Sequence, residues 1–318
     1  MTTTARRAAR ALSGLAAGLA LAALLGPPAG ATPRTPGNSA PRSRAVSPQR
    51  VATLSVIPVS GVSDLLECLL GAGVSVSNAT LTAAPKAVAR FAGGTGVVGI
   101  ESGVILSTGD VDSVPGPNEF EDCSVDNLFP GDEDLDTLVA NTQEAGEFPV
   151  VTYDAVVLEF DFECGSAQPI NIQYVFASEE YDEFVTSQFN DVFAIFLDGV
   201  RPEHNIALVA GACAGAPGQP IAINNVNCGL EGLDPGAPNC PCYVSNANGA
   251  LDTEMDGMTR VFQATANVSA GTHHMKIAIA DTADGIYDAN VFIRCGSLAC
   301  GAVPTRPATW GQVKARYR

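Results

Sequence analysis

From Val150 to Glu163 bulky and polar side chains alternate, with Tyr153, Val156, Leu158, Phe160 and Phe162 supplying the bulk. A period of two puts alternate side chains on opposite faces of an extended chain, so this stretch predicts a half-buried β-strand. The pattern returns at Ile170–Ala177, Val192–Leu197, Asn205–Val209, Arg260–Val268, His273–Ala280 and Val291–Ile293, with turn residues between the runs. Nothing between them has the length and period of a crossover helix, which excludes a parallel α/β sheet. Many short strands joined by glycine-rich connections predict an all-β chain folded as a jelly-roll-like β-sandwich. The one helix expected is short and N-terminal: Ser63 caps Asp64–Leu70 and Gly71 stops it.

The ends of the chain read differently. Arg6, Arg7 and Arg10 precede an uncharged run from Ala11 to Leu25, then Pro27-Pro28 and the small residues Ala29-Gly30-Ala31. Those are the three parts of a secretory signal peptide, expected to span 1–31 with cleavage near Ala31. The apolar run is too short for a membrane span, and the mature chain offers no other. Residues 32–60 hold five prolines and four arginines without an apolar period, and are expected to be a disordered leader. The sandwich is expected over 61–300, followed by a basic tail, 301–318.

Charge separates along the same boundaries. Of the 17 Lys and Arg, only six lie between Val51 and Thr305, against all 34 Asp and Glu, a balance of −28 for that body. Such a surface repels nucleic acid and anionic lipid and attracts cations or basic partners.

Export places the chain where disulfides form, in the periplasm or the medium. All nine cysteines follow the cleavage point. Cys213, Cys228, Cys240 and Cys242 crowd a Gly/Pro-rich insert, where bridges would remove unfolded-state entropy. At least one bridge is expected among those four, and Cys295 is expected to pair with Cys300. Zinc is the weaker alternative, because Cys240-Pro241-Cys242 lacks the usual ligand spacing. One thiol is left over.

Catalytic patterns are scarce. No nucleophile elbow, zinc helix or phosphate loop appears, and His273 and His274 are neighbours on a strand, facing opposite ways. The one enzyme reading with residues behind it is a glycosidase, which needs two placed carboxylates; Glu179, Glu180, Asp182 and Glu183 supply candidates without a placement.

Oxygen donors in loops suit calcium better. Three clusters qualify: Asp132, Asp134 and Asp136; Glu179, Glu180, Asn190 and Asp191; Asp281, Asp284 and Asp288. The first begins like an EF-hand but has no glycine at the sixth position and Gln143 at the twelfth, so an EF-hand is rejected. The other two flank strands whose apolar faces belong in one core, so their loops are expected to meet, with Glu180, Asp191 and Asp281 leading. Tyr181, Phe184, Tyr243 and Tyr287 lie in or beside loops, where aromatic faces would suit a carbohydrate or protein ligand.

Several segments together resemble the choice-of-anchor L domain of secreted bacterial proteins. They are Val74-Ser-Val-Ser-Asn-Ala-Thr80, Gly99-Ile-Glu-Ser-Gly-Val-Ile-Leu-Ser-Thr-Gly109, Gly131-Asp-Glu-Asp-Leu-Asp136 and Leu158-Glu-Phe-Asp-Phe162. Tyr174-Val-Phe-Ala-Ser-Glu-Glu-Tyr181, Phe189-Asn-Asp-Val-Phe193 and Ile279-Ala-Asp-Thr-Ala-Asp-Gly-Ile-Tyr-Asp288 complete the set, over roughly 62–298. The resemblance implies an exported, β-rich chain and carries no activity with it. Three functions follow as expectations: a surface adhesion or recognition module stabilised by calcium, a structural surface-layer component, or a secreted glycoside hydrolase. The tail after Ser297 shows no anchor motif, so release is expected over covalent attachment.

Overall fold

The computed structural model describes residues 54–120, 122–141, 150–237 and 239–300. Its first half comprises β1 (Ser55–Ile57), α1 (Val62–Leu69), β2 (Val74–Thr82), β3 (Val88–Ala92), β4 (Ser102–Ser107), α2 (Glu133–Ala140) and β5 (Thr152–Cys164). Then follow β6 (Gln168–Ser178), β7 (Val192–Leu197), β8 (Ile221–Ala222), β9 (Tyr243–Ser245) and β10 (Gly257–Thr259). The last strands are β11 (Phe262–Val268), β12 (Gly271–Thr282), β13 (Ala289–Arg294) and β14 (Ala299–Cys300).

Two antiparallel sheets result. One runs β2-β5-β12-β7-β8; the other runs β1-β3-β4-β13-β6-β10-β9, with β11 and β14 also on β6. The alternation seen in the sequence decides what lies between them. Val156, Leu158, Phe160 and Phe162 of β5 meet Ile170, Ile172, Tyr174 and Phe176 of β6 in one core. Each such side chain, withdrawn fully from water, contributes roughly 1.5–3 kcal/mol. The opposite faces are covered as well. Phe91, Ile105, Val175 and Phe292 form an apolar cluster outside the larger sheet. Leu135, Leu138 and Val139 of α2 close over Ala155, Val157, Ala278 and Ala280 on the smaller one.

That second helix was not expected, since 131–136 read as acidic loop. Asp132 caps it, accepting from the amides of Asp134 and Leu135. The buried Lys276 ammonium then sits 2.7 Å from Asp132 and 2.5 Å from Asp134, while Asp136 accepts from Thr152. Lys276 thus pairs with Asp132 and Asp134, and Thr152 holds Asp136, so this cluster is engaged within the fold.

Two further expectations change. Cys295 does not pair with Cys300: Cys68 bridges Cys295 and Cys164 bridges Cys300. Gly296 takes φ +68°, and the chain beyond it runs beside the end of α1, with the amides of Gly296 and Leu298 donating to the Cys68 and Leu69 carbonyls. This leaves Cys295 against the helix and carries Cys300 on to β5. The insert is stapled internally as expected, by Cys213–Cys242 and Cys228–Cys240, with Cys123 the free thiol. The leader is ordered where it meets the domain: β1 pairs with β3 and Leu54 is 2% exposed. Leader residues before 54, the signal peptide and the tail lie outside the described residues. No helix among the described residues is long and apolar enough to cross a membrane.

Candidate functional site

Three inward-facing rows run out at one end of the sandwich, and each ends in acid. On β6 the row Tyr174, Phe176 continues through Ser178 to Glu180; on β12 Ile277, Ile279 leads to Asp281; on β7 Phe193 is preceded by Asp191. β12 and β7 are paired as far as Ala280 and Val192, so Asp281 and Asp191 follow one step beyond. Pairing therefore sets Asp281 beside Asp191, and the packing of one sheet on the other brings Glu180 from the end of β6 against Asp191. All three are at most 1% exposed.

Their hydrogen bonds fall short of their charge. Asp191 accepts from the Thr282 amide at 3.1 Å and from the Ser178 hydroxyl at 3.3 Å. Glu180 Oε2 and both carboxylate oxygens of Asp281 have no partner. The Thr108 hydroxyl stands near Asp281, but its bond goes to the Ala289 carbonyl at 3.3 Å. Burial, then the neighbouring carboxylates, push all three well above the ordinary carboxylate range.

Adjacent strand residues face opposite ways, so Glu179 points outward where Glu180 points in. It is fully buried too, accepts from the Cys123 amide at 3.3 Å, and keeps Oε1 unpartnered. Asp256, Glu254 and Asp288 stand nearest among its charged neighbours, and with burial they raise it strongly. Asp288 accepts from the Val125 amide and Ser124 hydroxyl and is raised by burial and by Asp154 and Asp110. Sequence reasoning passed over Asp256 and Glu254; the only signal was acids at every second position of 252–256. Among the described residues, no three His, Cys, Asp or Glu side chains already stand as a group able to hold a metal ion.

Other expected ligands are engaged. Asn190 Oδ1 accepts from the Asn224 amide, and Asp284 accepts from the Ile286 amide. The aromatics divide. Tyr181 and Tyr243 are buried against each other at 4.8 Å, their hydroxyls donating to the Val226 carbonyl and to Asp182, so neither faces a ligand. Phe184 and Tyr287 are half-buried and stacked at 4.8 Å.

A Ser269–His273–Asp198 array lies elsewhere, with Nδ1 2.7 Å from Asp198 and Nε2 3.3 Å from the Ser269 hydroxyl. Nε2 is equally close, 3.2 Å, to the Ser269 carbonyl. Burial lowers the His273 pKa, but the bonds to Asp198 and Ser269 outweigh it and leave the value raised. Through them the ring ties β12 to the turn after β7.

No curated protein and no solved structure matches the chain. The family model for the choice-of-anchor L domain matches residues 58–299, which spans both sheets and every acid described above. The four bridges agree with an extracellular setting. This chain belongs to the choice-of-anchor L domain family.

Proposed function

We propose that the chain is a secreted surface module for adhesion or recognition, and that a divalent cation, calcium by its chemistry, completes the acid end of the sandwich. The observation behind this reading is Glu180, Asp191 and Asp281, buried together with three oxygens unpartnered. Carboxylates in low dielectric need protons or a cation. Hard oxygen donors with no imidazole or thiolate among them favour calcium over zinc. Binding would draw the carboxylates inward and add carbonyl or amide oxygens. The loops tied to these acids would then hold one shape at the sandwich end, where β-sandwiches commonly present ligand-binding loops.

Melting the secreted chain in EDTA and in millimolar calcium tests this. A cation bound only by the folded state at about 100 times its Kd adds ~2.7 kcal/mol, a rise of several degrees in Tm. An unchanged midpoint, with no metal by elemental analysis, removes the calcium reading. Retention of the chain by glycans or by proteins of a target surface separates a recognition module from a structural component.

A further inference from the structure

Beside the buried acids lies an open groove of about 600 Å³. One side is apolar: Leu128, Phe129, Val151 and Tyr153 line it, with Leu128 86% and Tyr153 41% exposed. The other side carries Asp126, Asp154 and Asp284. This shape is built, not incidental. The Asp154 carboxylate accepts from the amides of Asn127 at 2.9 Å and Phe129 at 2.5 Å, fastening the 127–129 lip to β5. Leu128, Asp154 and Ala283 all take positive φ, 51°, 49° and 79°. Left-handed backbone in residues with a Cβ is costly and collects at functional sites.

Among the described residues the charge of the groove has no basic counterpart. Six Lys and Arg lie between 51 and 305. Lys86 pairs with Asp110 and Asp112, Lys276 with Asp132 and Asp134, and Arg201 with Glu203. Arg260 donates to the Pro241 carbonyl, Arg294 to Gln173, and Arg90 stands by Asp64. None of the six lines the groove. Burial raises Asp154 and Asp284 to about 6, and Asp126 adds to both. Both still lie below neutral pH, and no Lys or Arg among the described residues lines the groove beside them.

We propose that this groove is the ligand site of the module and takes a basic peptide segment, a Lys or Arg beside an apolar residue, from its partner. The cationic head meets Asp126, Asp154 and Asp284; the alkyl stem and the apolar neighbour lie along Leu128, Phe129 and Tyr153. A sugar would match the single aromatic face of Tyr153 but would leave the three charges uncompensated. The inference rests on the binding-module reading and names its ligand class.

A fluorescein-labelled peptide of sequence 301–318, with Arg306, Trp310, Lys314, Arg316, Arg318 and no acid, is a suitable probe. The same peptide with its four bases changed to Gln is the control. Anisotropy of the probe titrated with the secreted chain is expected to saturate at low salt and to weaken about tenfold in 0.5 M salt. Leu128→Lys and Asp126→Asn alter exposed or half-exposed side chains. Each is expected to weaken binding about fivefold or more, with the circular dichroism unchanged. Absence of saturation, equal binding of the Gln peptide, or full affinity in both variants overturns the proposal, as does retention of a neutral oligosaccharide in place of the peptide. Titrations in EDTA and in calcium keep the two readings apart. Peptide binding without a calcium shift in melting sinks only the cation site; a calcium shift without peptide binding sinks only the groove.

Discussion

Asp281 stands where the inward row of β12 leaves the apolar core, and neither of its oxygens has a hydrogen-bond partner. Its position was legible, because a strand's period of two carries Ile277 and Ile279 on to residue 281. The same counting carries Tyr174 and Phe176 to Glu180, and Phe193 back to Asp191. Counting does not reveal burial, and it failed for the aromatics: Tyr181 and Tyr243 flank loops in sequence, yet each finds a buried acceptor for its hydroxyl. Asp281→Asn keeps the shape of the side chain and removes one of the mutually repelling charges. In EDTA the variant is expected to melt about 2–4 °C above the parent, the equivalent of ~1 kcal/mol in a domain this large. In calcium the order reverses, because a ligand is gone. Calorimetry of both proteins in both buffers reads the crossover; a variant less stable than the parent in EDTA contradicts the picture of uncompensated charge.

The long strands were legible and the short elements were not. β11 buries one face, and β5, β6 and β12 turn their bulkiest apolar side chains to the core between the sheets, so their alternation is legible in side-chain size. α2 has apolar residues at 135, 138 and 139, a helical spacing, but only eight residues, four of them acidic or hydroxyl-bearing, behind an acidic cap. A helix that short is held by the sheet it covers more than by its own sequence. β1 escaped notice for a similar reason: three residues after a Pro/Arg-rich stretch carry no period, and the partner strand β3 decides their conformation. The structure also orders the end of the leader, 54–60, within the stretch expected to be disordered. Leu54 belongs to the cluster outside the larger sheet, with Phe91 and Phe292. A chain starting at Val59 loses that burial and bares the edge of β3. It is expected to lose about 2–3 kcal/mol in urea unfolding, chiefly the transfer of one leucine and its neighbours. A loss below ~0.5 kcal/mol would show that the strand adds nothing.

For the molecule as a whole, uncompensated acid sets how stability depends on pH. Asp154 and Asp284 rise from 3.8 to about 6 on folding, and Glu179, Glu180, Asp191, Asp281 and Asp288 are raised well above their ordinary values, all by burial first. A carboxyl whose folded pKa exceeds its unfolded one binds more protons in the fold. Its contribution is therefore present at low pH and is lost as pH climbs through the folded value. The metal-free protein should lose stability between about pH 4 and 6 and go on losing it above, the reverse of a protein whose acids are salt-bridged. His273, also raised, loses its contribution in the same direction above about 6.5. Asp64 and Asp161 are lowered by hydrogen bonds and act only at more acidic pH. Calcium bound at the proposed site would compete with the protons on Glu180, Asp191 and Asp281 but would not touch His273, which is tied to Asp198. In EDTA the Tm is accordingly expected to fall steadily from pH 4.5 to 7.5. In millimolar calcium the fall should shrink by the share of Glu180, Asp191 and Asp281, leaving that of Asp154, Asp284, Glu179 and Asp288, and His273→Gln should reduce the remainder in either buffer. A Tm that rises with pH in EDTA would mean the buried carboxylates are already compensated within the fold, and the cation would have no work to do there.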